Sequence, residues 1–271
     1  MRNLRLNRLA AFSALVFGLC AAPVCAVTVI AHRGDSAHFP ENTLSAFQSA
    51  VEKKADLVEL DAHATQDGVL VAIHDSTLDK TTYADEIAGV TDLQVADQNW
   101  DWIKSLDAGS WKSPAFSGER ISTLEECLEA IQQGSVTLLE RKAGSALAYA
   151  KLLERMNLTE DLIVQAFDWD FLAALRTWAP KVRLGALGGK DLTQEILEDL
   201  EKADISLVVW RHSDVDVNTM ELVKARGMEM WCYTINEAPE WKRLIDLGVT
   251  GIITDKPGEL REWLKQEGYE Q

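Results

Sequence analysis

Two histidines and three carboxylates stand where short apolar runs stop, the positions at which α/β chains do chemistry. Val27–Ala31 stops at His32-Arg33-Gly34, Leu57–Leu60 carries Glu59 and ends at Asp61, Val69–Ile73 stops at His74-Asp75, and Val136–Leu139 stops at Glu140-Arg141-Lys142. Residues two apart on a strand share a face, so Glu59 with Asp61, and Glu140 with Lys142, turn into one pocket if their strands are neighbours. Three carboxylates crowded there would repel. A hard divalent cation with oxygen ligands removes the conflict and would also neutralise a phosphate.

The elements that must position these groups follow a regular rhythm. Strand candidates are Val27–Ala31, Leu57–Leu60, Val136–Leu139, Leu162–Val164, Val182–Ala186, Ile205–Val209, Met228–Tyr233 and Gly251–Ile253, with amphipathic stretches between them. Leu44, Phe47, Ala50 and Val51 share one face of the first such stretch, and Lys53 and Lys54 follow at its dipole-negative end. Ser122 with Glu125 reads as a capping box before Leu124 and Leu128, and Gly134 as the end of that helix. This α/β alternation predicts a (β/α)8 TIM barrel, with a doubly wound open sheet as the alternative. The rhythm breaks over residues 62–121, where Val69–Ile73 is the one strand candidate. That segment reads as an insertion after the second barrel strand that carries His74 over the barrel mouth.

Composition bounds the function. Arg2, Arg5 and Arg8, an apolar stretch over Leu9–Ala22 and small residues around Val24-Cys25-Ala26 predict a signal peptide over residues 1–26, too short in its apolar part to span a bilayer. The expected mature domain, residues 27–271, is then exported, periplasmic or secreted. Formal net charge is −16 at pH 7, and the leader holds arginines and no acid, so the mature chain is more acidic still. Such a surface predicts no nucleic-acid partner and no stable membrane association; an anionic substrate needs a cation or a local basic cluster. Oligomeric state is not written in the sequence. Cys127 and Cys232, one in a helical and one in a strand pattern, read as two buried free thiols.

At these residues the chain resembles the glycerophosphodiester phosphodiesterase family. HRG at His32, PENT at Pro40–Thr43, ELD at Glu59–Asp61, TQDG at Thr65–Gly68, HD at His74 and E-x-K at Glu140–Lys142 follow the family's order and spacing. VQAFD at Val164–Asp168, YTIN at Tyr233–Asn236 and GVTGIITDKP at Gly248–Pro257 are similar to its later strands. The match spans essentially all of the chain past the leader.

The resemblance implies a metal-dependent barrel hydrolase acting on small glycerophosphodiesters, releasing sn-glycerol 3-phosphate and an alcohol. It implies His32 and His74 as the acid/base pair and Glu59, Asp61 and Glu140 as metal ligands, with calcium favoured for an exported protein and magnesium compatible. Arg33 and Lys142 would hold the phosphate, with Glu41 a further polar contact or ligand. Ala166 replaces the family's usual Ser and Tyr233 its usual Trp, which bears on substrate contacts, Tyr233 among them. His32 is taken as base and His74 as acid, while the nucleophile is left as either water or the glycerol 2-hydroxyl. A cyclising or phospholipase-D-like enzyme and a noncatalytic binding protein are the competing classes. The first needs an apolar or membrane-binding surface, and the second needs no acid/base pair. His38 and His212 read as structural, His63 as a support for its neighbours, and Gly188-Gly189-Lys190 as a βα turn lacking the full phosphate-loop spacing.

Overall fold

The computed structural model describes residues 27–269, so the leader expected over residues 1–26 lies outside the described residues. Among the described residues nine strands run β1 Thr28–Ala31, β2 Leu57–Ala64, β3 Leu70–Ala72, β4 Val136–Arg141, β5 Leu162–Ala166, β6 Arg183–Gly188, β7 Leu207–Arg211, β8 Glu229–Tyr233 and β9 Gly251–Thr254. Their order is β1-β9-β8-β7-β6-β5-β4-β2-β3, and β1 also pairs with β2. The pairings β1–β2 and β1–β9 are both parallel, so the eight parallel strands close on themselves, and the open-sheet alternative is excluded.

Side-chain alternation along these strands builds two cores. Ile30, Leu57, Leu138, Ile163, Leu187, Leu207, Val209, Trp231 and Ile253 fill the barrel. The alternate residues, among them Val29, Val58, Leu139, Val164 and Val208, pack outward against the helices. Glu59, Asp61 and Glu140 continue the inward set toward the C-terminal ends of β2 and β4, where Asp61 is in register with Glu140. Cys127 and Cys232 are buried and unpaired, as expected, and burial raises both thiol pKa values. Among the described residues no helix is long and apolar enough to cross a membrane.

Two local expectations are corrected. The capping box belongs to Thr123 and Glu126, because the helix is Leu124–Ile131 and Thr123 is the residue with extended backbone before it. Its C-cap is Gln132 rather than Gly134, since Gln132 N–H already closes the last turn on Leu128. The first helix ends at Glu52 with Lys53 as its C-cap, so Lys53 and Lys54 follow its C-terminal end as expected, and the Lys53 ammonium bonds Asp35 Oδ2 at 2.6 Å.

The insertion is less irregular than its sequence. β2 runs on to Ala64, and β3 pairs back on it antiparallel with Ala62 opposite Ala72 and Ala64 opposite Leu70. Beyond β3, short helical turns at Ala84–Ala88, Val95–Asp97, Trp100–Ile103 and Pro114–Phe116 surround a small core that includes Val71, Ile73, Leu78, Ile103 and Leu106. Ile73 N–H donates to the Asp61 carbonyl at 3.1 Å, so the residue before His74 is pinned beside a site carboxylate.

Candidate active site

The turn after β1 is shaped for close approach. Gly34 has φ +84°, and a Cβ there would lie 2.6 Å from the Ala46 carbonyl carbon, so no other residue fits between strand end and helix. The turn carries Arg33 across the mouth. Its backbone N–H donates to Glu59 Oε2 at 2.8 Å, its Nη1 to Glu41 Oε1 at 2.8 Å, and its Nε lies 3.1 Å from Asp61 Oδ2. Just past the end of β4, Lys142 Nζ reaches Asp61 Oδ1 at 3.2 Å and pairs with Glu140. Asn42 clamps Asp61 from both sides, its Nδ2 donating to Oδ2 at 2.9 Å and its Oδ1 accepting the Asp61 N–H at 3.1 Å.

Both histidines are held by a carboxylate through Nδ1. His32 Nδ1 lies 2.6 Å from Asp255 Oδ1, and His74 Nδ1 lies 2.5 Å from Asp75 Oδ1. Asp255 is itself fixed by Asn236 Nδ2 at 2.6 Å and Ser36 Oγ at 3.0 Å, while Asn236 Oδ1 accepts the Asp255 N–H at 2.8 Å. His63 bonds through Nε2 to the His74 carbonyl at 3.0 Å, which is the supporting part expected of it. With Nδ1 engaged, Nε2 of each catalytic candidate is the nitrogen left for a substrate proton.

Burial and crowding separate the three carboxylates electrically. Glu59 is pushed well above the usual carboxylate range by burial and by Asp61 and Glu140, and Glu140 is pushed up to about 7 by burial and Asp61. Asp61 is equally buried, but Lys142 and Arg33 outweigh that and lower it. Burial lowers the His74 pKa despite Asp61, with Arg33 and Lys142 adding to the lowering. Burial would raise Asp255, yet the bond to His32 brings it down to about 2.

The donor set fits a divalent cation. One oxygen from each of Glu59, Asp61 and Glu140 lies within 4.8 Å of the other two, and all three residues are buried. Glu59 Oε1 is buried with no hydrogen-bond partner, a state that a bound cation would relieve. Hard oxygen donors of this kind suit calcium or magnesium.

A sequence profile of the glycerophosphoryl diester phosphodiesterase family matches residues 32–259. The chain belongs to this family. A glycerophosphodiester phosphodiesterase of Caldanaerobacter subterraneus is 34% identical over 247 residues, covering 89% of this chain and 98% of that one. One from Bacillus subtilis is 28% identical, covering 94% and 97%. Among solved structures, an Oleispira antarctica phosphodiesterase in complex with the product sn-glycerol-3-phosphate superposes with a TM-score of 0.80 at 28% identity, covering 88% of this chain and 96% of that one.

For this member of the glycerophosphoryl diester phosphodiesterase family, folding gathers His32, His74, Arg33, Glu41, Glu59, Asp61, Glu140 and Lys142 at one end of the barrel. Glu41 meets Arg33 and, at 3.4 Å, Lys80 rather than the carboxylate cluster. Tyr233 ends β8, its hydroxyl donating to the Gly188 carbonyl at 2.8 Å and its ring edge-on to Phe167. His38 and His212 are engaged elsewhere, with Asp35 and Glu240. Sequence reading missed Asp255, Asn236, Ser36 and the clamp by Asn42. Asn42, Asn236 and Asp255 fell inside the matched PENT, YTIN and TDKP segments, which was their available signal. Lys190 N–H donates to Asp214 Oδ2 at 2.6 Å, in keeping with a βα turn rather than a phosphate loop.

Proposed function

We propose that the protein hydrolyses water-soluble glycerophosphodiesters to sn-glycerol 3-phosphate and an alcohol, using His32 and His74 as the proton-transfer pair beside a divalent cation on Glu59, Asp61 and Glu140. The observation that carries this is the geometry of the two imidazoles. Each is tied through Nδ1 to its own carboxylate, Asp255 or Asp75, at the same barrel mouth as the carboxylate triad. A noncatalytic binding protein has no use for such a pair.

The roles divide by charge. His74, held neutral at pH 7 by its depressed pKa, takes the proton of the nucleophile, whether water or the substrate's 2-hydroxyl. His32, oriented by its Nδ1 contact with Asp255, gives a proton to the departing alkoxide oxygen. This reverses the order expected from the sequence, because burial between Arg33 and Lys142 disfavours a proton on His74. Arg33 and Lys142 offset charge on the nonbridging phosphate oxygens. The cation, when bound, adds Lewis-acid charge at the phosphate and cancels repulsion within the triad. Calcium is favoured for an exported enzyme, with magnesium accepted by the same oxygens. Export follows from the arginine-flanked apolar leader over residues 1–26.

A product assay tests the reading. Glycerophosphocholine, glycerophosphoethanolamine and lysophosphatidylcholine are offered with calcium or magnesium, and glycerol phosphate is expected from the first two. Cleavage of the lipid alone, or full turnover after exhaustive chelation, would overturn it.

A further inference from the structure

One inward polar side chain at the mouth has no part in the chemistry above. Gln165 on β5 is in register with Glu140 on β4, which is in register with Asp61 on β2. Ile163, two residues earlier, packs inside the barrel, so strand alternation turns Gln165 inward too. Gln165 is 1% exposed, and its Oε1 is buried with no hydrogen-bond partner. On its other side the register neighbour is Gly185, which brings no side chain to satisfy it. A buried amide oxygen left unpaired is costly, and two carboxyl oxygens of the triad, Glu59 Oε1 and Glu140 Oε1, are likewise buried without a hydrogen bond, the second of them ion-paired with Lys142.

We infer that Gln165 contributes an uncharged oxygen to the coordination shell of the cation held by Glu59, Asp61 and Glu140, directly or through one cation-bound water. The inference rests on the cation reading proposed above. Calcium takes about six to eight oxygen ligands, more than three carboxylates supply when each gives one oxygen. A fourth carboxylate would add to the repulsion that already raises Glu59 and Glu140, whereas an amide oxygen adds coordination without charge. Calcium takes more ligands than magnesium and keeps fewer waters, so loss of Gln165 falls harder on calcium.

Calorimetric titration of the chelated, full-length mature protein with calcium and with magnesium decides the matter. Gln165→Met keeps the length of the side chain and removes its oxygen. It is expected to weaken calcium binding by about 10- to 100-fold, with a smaller loss for magnesium. The calcium-induced rise in Tm should shrink in parallel, while the cation-free Tm stays near wild type. Gln165→Asn draws the oxygen back by one methylene and should give the same loss of calcium affinity, so it serves if the Gln165→Met protein does not fold. Gln165→Glu, with an oxygen at the original reach, should retain calcium binding. Wild-type calcium affinity in a folded Gln165→Met or Gln165→Asn protein, or a lowered cation-free Tm with affinity unchanged, overturns the inference and leaves Gln165 a packing residue. Failure of the wild-type protein to take up either ion would instead remove the cation reading itself, and this inference with it.

Discussion

His32 and Asp255 join the first barrel strand to the last. They lie 223 residues apart in sequence and 2.6 Å apart at the seam where β1 and β9 close the barrel. The bond fixes which nitrogen of His32 faces the mouth, and Asn236 and Ser36 hold the carboxylate that makes it. Asp255 therefore acts through His32, as a positioning residue. Asp255→Asn, which preserves shape and removes the charge, should lower kcat by roughly 10²-fold or more with little change in KM, and should shift the pH profile. A folded Asp255→Asn protein with wild-type kcat and pH profile would reduce the contact to a strut.

The histidine pair should fail as a unit. A group that transfers a proton contributes about 10²- to 10⁴-fold to rate, so His32→Asn and His74→Asn should each depress kcat by at least roughly 10²-fold. The double variant should lose much less than the product of the single effects. Circular dichroism and calcium titration should stay near wild type in both single variants. Multiplicative losses would argue for two independent roles.

Cation uptake should be pH-dependent in a direction set by Glu140. Its pKa, raised to about 7 by burial and Asp61, means that the carboxylate must shed a proton to become a ligand below that pH. Calcium affinity should fall as the pH drops below about 7, by up to roughly tenfold per pH unit for this one proton, with protons released on binding. Calorimetry in buffers of different ionisation enthalpy measures that release. No proton release at pH 6 would mean that Glu140 is already ionised.

Export predicts a processed N-terminus. Intact-mass measurement of the protein recovered from the periplasm or medium should find a chain beginning at Val27, and Ala26→Arg should block processing. A recovered chain that retains Met1 and Arg2 would rule out cleavage.

What the sequence determined by itself was local or periodic. Short apolar runs separated by amphipathic stretches named all eight barrel strands to within a few residues, and the polar residues where these runs and the Val69–Ile73 run in the insertion stop named both histidines, Arg33, Lys142 and the triad. The helix cap moved by one residue, from Ser122 to Thr123, because which of two adjacent hydroxyl residues takes the extended backbone is decided by how the helix packs. Tertiary structure alone decided barrel closure, since an open sheet has the same strands and helices. It also decided the partners of the catalytic candidates. Asp255 and Asn236 meet His32 only because β1 lies beside β9, and Asn42 meets Asp61 only because the Gly34 turn folds the chain back. Charge was likewise a matter of fold. Glu59, Asp61 and Glu140 are ordinary carboxylates along the chain, and only shared burial between Arg33 and Lys142 drives Glu59 and Glu140 up and Asp61 down.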